Sequence, residues 1–443
     1  MRKFREAGTD VHTTILLGAG ASVTSGLPDW DTFAARLLVN SRVVESQDAA
    51  NLLLYRQDPL IALEAARVKF GKAHWESELR TALYQGTKNL DPSPLHLAAA
   101  GHALESDSNT TSLATLNFDT LLEQALEEET GTSPQVHHLH GKIALSGSHD
   151  VVLTLTDFTD LIAQNNTWQA EYLEDAVSRG ALLIAGTSYR DPDLRQWLHQ
   201  ALQDKPEQHQ ALVLLAREAF GVSKRDFSQI KNALSAQWKG VGLEPVLLED
   251  HSDAAQIIRE LRYAHDPDYK SPQERARHIW DTHIDKFQDL QEKCADLLHN
   301  DAEVLKSDFS TQKMNLSLWI STGDGKLARW AAQDRTYRDS STLREVETGH
   351  DSPWIAGQAL SHDALLFNDL DSNGTPQWAS VLAIPIPVPH PHFPALTSAV
   401  LTIGLSQPAE HYLDLQSLWW PRISEIADQW GEELNSNVYE AIK

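Results

Sequence analysis

The sequence predicts an α/β fold built on a doubly wound parallel sheet over residues 1–265, with a helical insertion at about 40–105, followed by an α+β domain over residues 271–443. Three observations predict it. Short apolar runs alternate with amphipathic stretches as far as about residue 262, the pattern of strand and helix taken in turn. Glycine-bearing strings stand at the ends of the apolar runs, where such sheets bind ligands. After a proline-containing link over Tyr263 to Gln273, the remaining sequence is rich in strand signals flanked by helical ones.

The strands of the first domain are expected at Thr14 to Leu17, Thr111 to Thr115, Ala181 to Gly186, Ala211 to Ala216 and Pro245 to Leu248. Each is a short, continuous apolar run, as suits a strand buried on both faces. Helical periodicity falls between them, at Asp31 to Leu38, Thr120 to Glu128, Asp191 to Leu202 and Ser252 to Ala264. Within the insertion, Asp58 to Lys72 and His74 to Tyr84 read as helices placed to cover a ligand site. In the second domain one long helix is expected near residues 271–300, with Ile284, Phe287, Leu290, Cys294 and Leu297 on one stripe. Strands follow at Leu316 to Ser321, Lys326 to Ala331, Ser380 to Pro387 and Thr397 to Leu405, and a closing helix at about Leu413 to Leu434. The stretch Pro385 to Pro394 reads as a stiff loop.

The 443 residues carry 37 Lys plus Arg against 62 Asp plus Glu, a net charge of −25. From Ser271 onward there are 13 basic and 25 acidic residues, so no basic module hides behind the average, and sequence-independent nucleic-acid binding is disfavoured. The one cysteine, Cys294, excludes an intrachain disulfide and a cysteine-based zinc site and fits a reducing compartment. No apolar run approaches the length of a membrane helix, and Glu6, Asp10 and His12 break up the faintly signal-like start. A cytoplasmic protein is expected.

Four strings carry the chemistry. Gly18-Ala19-Gly20-Ala21-Ser22 follows the first apolar run and leads to Gly26-Leu27-Pro28. Gly18 and Gly20 permit a tight turn and close approach to a ligand, and a helix starting near Ala21 would turn its free N–H groups toward a pyrophosphate. Thr115-Leu116-Asn117-Phe118-Asp119, then Leu139-His140-Gly141, then Gly186-Thr187-Ser188 come in that order. Alone, each has an ordinary explanation: a strand–turn–helix corner, a turn Asn, an N-cap Asp. Together, they resemble the nucleotide-binding domain of the sirtuin family, which cleaves the nicotinamide glycosidic bond of NAD. The resemblance covers about residues 12–262. It implies NAD as substrate and assigns Asn117 to catalysis, Asp119 to nicotinamide recognition alongside helix capping, and His140 to general-base action on a ribose hydroxyl. It assigns NAD binding to Gly18, Ala19, Gly20, Ala21, Ser22, Gly26, Leu27, Pro28, Thr115, Gly186, Thr187 and Ser188. The residue types suit these tasks: an amide donates and accepts at once, and an imidazole titrates near neutrality. His137 and His138 lie outside the motif, and without a carboxylate or thiolate to complete a ligand set no metal site is expected.

Two departures matter. Protein-deacylating sirtuins carry a four-cysteine zinc module, which a chain with one cysteine cannot build. The continuation Tyr189-Arg190-Asp191-Pro192-Asp193-Leu194-Arg195 resembles the sirtuin-like proteins of bacterial defence systems, although Asp191 before Pro192 also reads as a helix start. The second domain resembles a GAF domain through Trp354 to Leu360, Phe367 to Leu370 and Trp378 to Ile386. That resemblance implies a sensory or assembly role, with a small-molecule or protein trigger. Trp330, Trp354 and Trp378 are candidates for its pocket, with core packing as their alternative. The apolar stripes of the terminal helices suggest a homo-oligomer. The leading expectation is an NAD glycohydrolase serving as a regulated antiphage effector. The alternatives are a protein deacylase or ADP-ribosyltransferase, and a non-catalytic NAD sensor or scaffold.

Overall fold

The computed structural model describes residues 12–87, 90–105, 110–130, 135–163, 167–187, 192–202, 210–370 and 377–439. The chain divides into two units, Met1–His265 and Asp266–Lys443. Among the described residues no helix is long and apolar enough to cross a membrane.

The first unit is a mixed α/β structure around a six-stranded parallel sheet. Its strands are β1 (His12–Leu17), β2 (Thr111–Thr115), β3 (His137–His138), β6 (Gly180–Ala185), β7 (Gln210–Ala216) and β8 (Glu244–Leu248), and β4 (Lys142–Ala144) and β5 (Gly147–His149) form a separate hairpin. The sheet order is β3-β2-β1-β6-β7-β8, every pair parallel. The chain leaves β1 for β2 on one side and later reaches β6 on the other. The crevice beyond the ends of β1 and β6 is therefore the topological switch point, where sheets of this kind bind ligands.

Alternation along the strands divides the core into two layers. Ile15, Leu17, Leu183, Ala185, Leu212 and Leu214 face α6 (Pro94–Glu105), α7 (Leu121–Thr130) and α12 (His251–Glu260), whose Ala99, Leu122 and Ile258 join them. Leu16, Leu182, Ile184, Val213 and Leu215 face the opposite way, toward α9 (Trp168–Arg179), α10 (Pro192–Leu202) and α11 (Lys224–Gly240), which contribute Leu173, Trp197 and Trp238. Burial on both faces explains why these strands read as unbroken apolar runs.

The helical lobe has a core of its own and different limits from those expected. It is made by α2 (Trp30–Asn40), α3 (Gln47–Arg56), α4 (Pro59–Phe70) and α5 (Lys72–Tyr84), with Phe118, Ile143 and Leu153 packed into it. Helix α6, placed by sequence inside the insertion, lies on the sheet, because Leu95, Ala98 and Ala99 form an apolar face that fits against it. A further helix, α8 (Leu155–Ile162), starts at a capping box in which Thr154 and Asp157 exchange hydrogen bonds, and Arg67 of α4 reaches both, at 2.8 and 2.7 Å.

The second unit is a six-stranded antiparallel sheet with helices. In chain order come α13 (Pro272–Asp285), α14 (Phe287–Asp308), β9 (Met314–Ser321), β10 (Lys326–Ala332), β11 (Glu345–Glu347), α15 (Ile355–His362), β12 (Leu366–Asp369), β13 (Ser380–Val388), β14 (Leu396–Leu405), α16 (Ala409–Leu413) and α17 (Gln416–Tyr439). The sheet order is β11-β10-β9-β14-β13-β12. One face packs on α13, α14 and α17 through Leu316, Leu318, Ile384, Leu401 and Ile403, and the other face packs on α15 through Trp319, Ala383 and Val400.

Several expectations change here. The long entry helix is two helices that meet at Lys286, and its stripe is spent within the chain. Phe287, Leu290 and Cys294 are buried against the sheet, with Ile284 and Leu297 partly so, which removes the unpaired stripe as an argument for an oligomer. Pro385 and Pro387 belong to β13, not to a loop. β12 pairs with β13 only from Ser380 to Ala383, so both prolines, two residues apart, leave their missing N–H groups on the open side while β14 pairs along the other. The three tryptophans do not share a wall. Trp330 is fully buried on the helical side, edge-on to Trp280, His283 and Phe287. Trp354 is exposed under the Arg344 guanidinium, 3.9 Å away, and the Trp378 ring occupies the space a side chain on Gly404 would need.

Candidate active site

The first glycine string caps β1. Gly18 N donates to Ala185 O and Gly20 N to Gly186 O, both at 2.8 Å, so the turns after β1 and β6 are stitched together. The helix that follows, α1 (Ala19–Val23), starts two residues earlier than expected and is only five residues long. The two glycines are demanded by packing. A Cβ on Gly18 would lie 2.7 Å from Gly186 O, and one on Gly20 would lie 2.5 Å from the His251 ring. Gly186 has φ +72, a left-handed conformation that favours glycine. Ala19 and Gly26 are exposed, Gly20 and Pro28 half-buried, and Ala21, Ser22, Leu27 and Thr187 buried. Leu27 N closes the loop by donating to Ser22 O at 3.1 Å. Ser188 lies outside the described residues.

Asn117 follows β2 and is buried. Its Nδ2 donates to Gly18 O at 3.0 Å and to Ser22 Oγ at 2.7 Å, and its backbone N–H donates to Thr115 Oγ1 at 3.0 Å. Thr115 Oγ1 in turn donates to Leu17 O at 3.2 Å. Asp119 is buried, and its Oδ1 accepts from Leu121 N at 3.0 Å, a capping bond at the start of α7. Burial, with the Asp119 and Glu123 carboxylates adding to it, pushes the neighbouring Tyr84 hydroxyl up, and that hydroxyl donates to Ile143 O at 2.6 Å.

His140 is buried beside Phe118 and Trp197, with ring centroids 6.4 and 5.1 Å away. Its Nδ1 lies 3.5 Å from Asp193 Oδ2. Gly141, at φ +85, has no room for a side chain, since a Cβ would meet Asp150 O at 2.2 Å. The sharp turn that Gly141 allows lets Val152 N reach His140 O at 3.0 Å.

The strings thus form one assembly. Gly18, Gly20, Ser22, Thr115, Asn117, Gly186 and Thr187 meet at the ends of β1, β2 and β6, and His140 stands next to Phe118. Two residues went unseen in the sequence as parts of the site. In the sequence Asp193 belongs to the Tyr189-to-Arg195 continuation and to a helix start, with no partner indicated; in the structure it stands one turn before Trp197, and both lie against His140. His138 lies outside the motif. Its Nδ1 is 3.1 Å from Asn117 O and its Nε2 2.7 Å from Glu123 Oε1. Burial works to raise the Glu123 carboxyl, but the His138 hydrogen bond and charge, with Lys142 at 3.6 Å, bring it below its ordinary value. Among the described residues no group of three or more His, Cys, Asp or Glu is arranged to hold a metal ion.

The family model described as "SIR2-like domain" matches residues 111–246. No curated protein matches the chain. Among solved structures, the one described as "Crystal structure of a Sir2 homolog-NAD complex" is 17% identical, with a TM-score of 0.34 over 60% of this chain and 95% of that one. A second, "Structural Basis for the Mechanism and Regulation of Sir2 Enzymes", is 14% identical, with a TM-score of 0.33 over 59% and 95%. The span that matches the SIR2-like model, residues 111–246, holds Thr115, Asn117, Asp119, His140, Gly186 and Thr187.

Proposed function

We propose that the chain is an NAD glycohydrolase, releasing nicotinamide and leaving ADP-ribose by attack of water on the ribose. The observation that carries this reading is the pair of bonds from Asn117 Nδ2 to Gly18 O and Ser22 Oγ, which joins strings 99 and 95 residues apart at the switch point of the sheet. Asn117 would orient the water or the ribose hydroxyls, and His140, with Asp193 beside it, would take up the proton. The turns after β1 and β6 would hold the dinucleotide. NAD supplies the glycosidic bond to be broken, and the buried surroundings of Asn117 and His140 keep bulk water from competing with the positioned one.

Hydrolysis is favoured over acyl transfer because one cysteine cannot make a four-cysteine zinc module. The second unit fits a GAF-like reading in its run of α15, the short strand β12 ending at Asp369, and the paired core strands β13 and β14. On this reading it receives a trigger that releases NAD depletion in an antiphage response.

The test is nicotinamide release by the purified full chain given NAD alone and NAD with an acylated peptide. Release from NAD alone is expected. Release only with the peptide would make the chain a deacylase, and NAD binding without release would make it a sensor.

A further inference from the structure

We infer that His138 is a positioning residue for Asn117, acting as a protonated imidazole that is neutralised by Glu123 and donates to the Asn117 carbonyl. This rests on the reading of Asn117 as the catalytic amide.

A backbone carbonyl only accepts, and an ionised carboxylate only accepts. Asn117 O faces Nδ1 at 3.1 Å and Glu123 Oε1 faces Nε2 at 2.7 Å, so both ring nitrogens must donate, which only the cationic ring does. The side chains of His138 and Glu123 are 7% and 12% exposed, where an ion pair is weakly screened and removal of one partner is costly. The geometry also shows what the cation holds. Thr115 Oγ1 accepts from the Asn117 N–H, Ile143 N donates to Phe118 O at 2.6 Å, and the Asn117 side chain is already tied to Gly18 and Ser22. His138 fixes the remaining backbone group of Asn117. It does so from β3, a two-residue edge strand paired to β2 at Ala114↔His137 and Thr115↔His138, so the ring also clamps that edge to α7.

Other titratable groups stand around the pair. Lys142 lies 3.6 Å from Glu123, and His137 is next in the chain. Tyr84, His96 and Asp119 feel or accompany the Glu123 charge from the elements behind it. Of these, Lys142 competes for Glu123, and its exposed amine is the weaker partner at the longer distance.

The experiment compares the full-length wild type with His138→Gln, Glu123→Gln and the double variant. Turnover of NAD is followed as kcat and KM, and hydrogen exchange is measured over residues 115–121. His138→Gln should lower kcat roughly 10- to 100-fold, the scale for a displaced catalytic group, while KM for NAD stays within about threefold. The double variant should be no worse than the poorer single one, as for residues acting as a unit. Exchange over 115–121 should quicken in both single variants. Wild-type kcat in His138→Gln, or unchanged exchange over 115–121, would overturn the inference. Failure of the wild type to release nicotinamide would remove the hydrolase reading alone, because the exchange measurement still decides whether His138 holds Asn117.

Discussion

Gly141 shows how a two-residue motif can be demanded from two directions. Its neighbour His140 is the proposed base, but the glycine itself answers to the Asp150 backbone and to a positive φ. Gly141→Ala should cost at least about 2 kcal/mol, since strain and a backbone clash combine. A melting temperature equal to that of the wild type would show that the turn relaxes freely. The same lesson holds at Gly18 and Gly20. Beside the ligand approach expected at both, packing alone requires glycine there, against Gly186 and His251. Asp193 beside His140 was not legible, because Asp-Pro-Asp-Leu is fully accounted for as a helix start. Pairing across 53 residues of chain leaves no local trace.

At the scale of elements, the five long strands of the parallel sheet were legible to within a residue or two, because burial on both faces makes them unbroken apolar runs. β3 was not, since two residues carry no period. Nor was the break at Lys286, where no glycine or proline marks it, or the strand identity of Pro385 and Pro387, which depends on how far the neighbouring β12 extends. Helix α6 carries a further consequence. Burial, with the Arg262 charge adding to it, holds His102 at about 4, well below its ordinary value near 6.5. The unfolded chain therefore binds this proton more readily than the folded one. The stability it represents is whole above about pH 6.5 and is lost as pH falls toward 4. The melting temperature should drop over that range, and His102→Asn should drop less steeply; equal slopes would contradict the assignment. On α14, burial pushes the Cys294 thiol up to about 11. It should react with a thiol reagent only as fast as the chain unfolds, and rapid labelling of the native protein would refute its burial.

For the molecule as a whole, each unit closes its own cores. The parallel sheet is covered on both faces within residues 12–265, and the antiparallel sheet within 266–439. A fragment of residues 1–265 should therefore fold and melt cooperatively, and a non-cooperative calorimetric trace would show that it needs the second unit. The net charge of −25 is a property of composition, and the division into units was signalled by the change from alternating to strand-rich sequence. The strings gathered at the ends of β1, β2 and β6 are proposed to cleave NAD. The most direct test is nicotinamide release from NAD by the full chain and by its Asn117→Ala and His140→Ala variants, each confirmed folded. Release by the wild type and a loss of at least ~100-fold in each variant are expected. Wild-type rates in either variant would contradict the proposal.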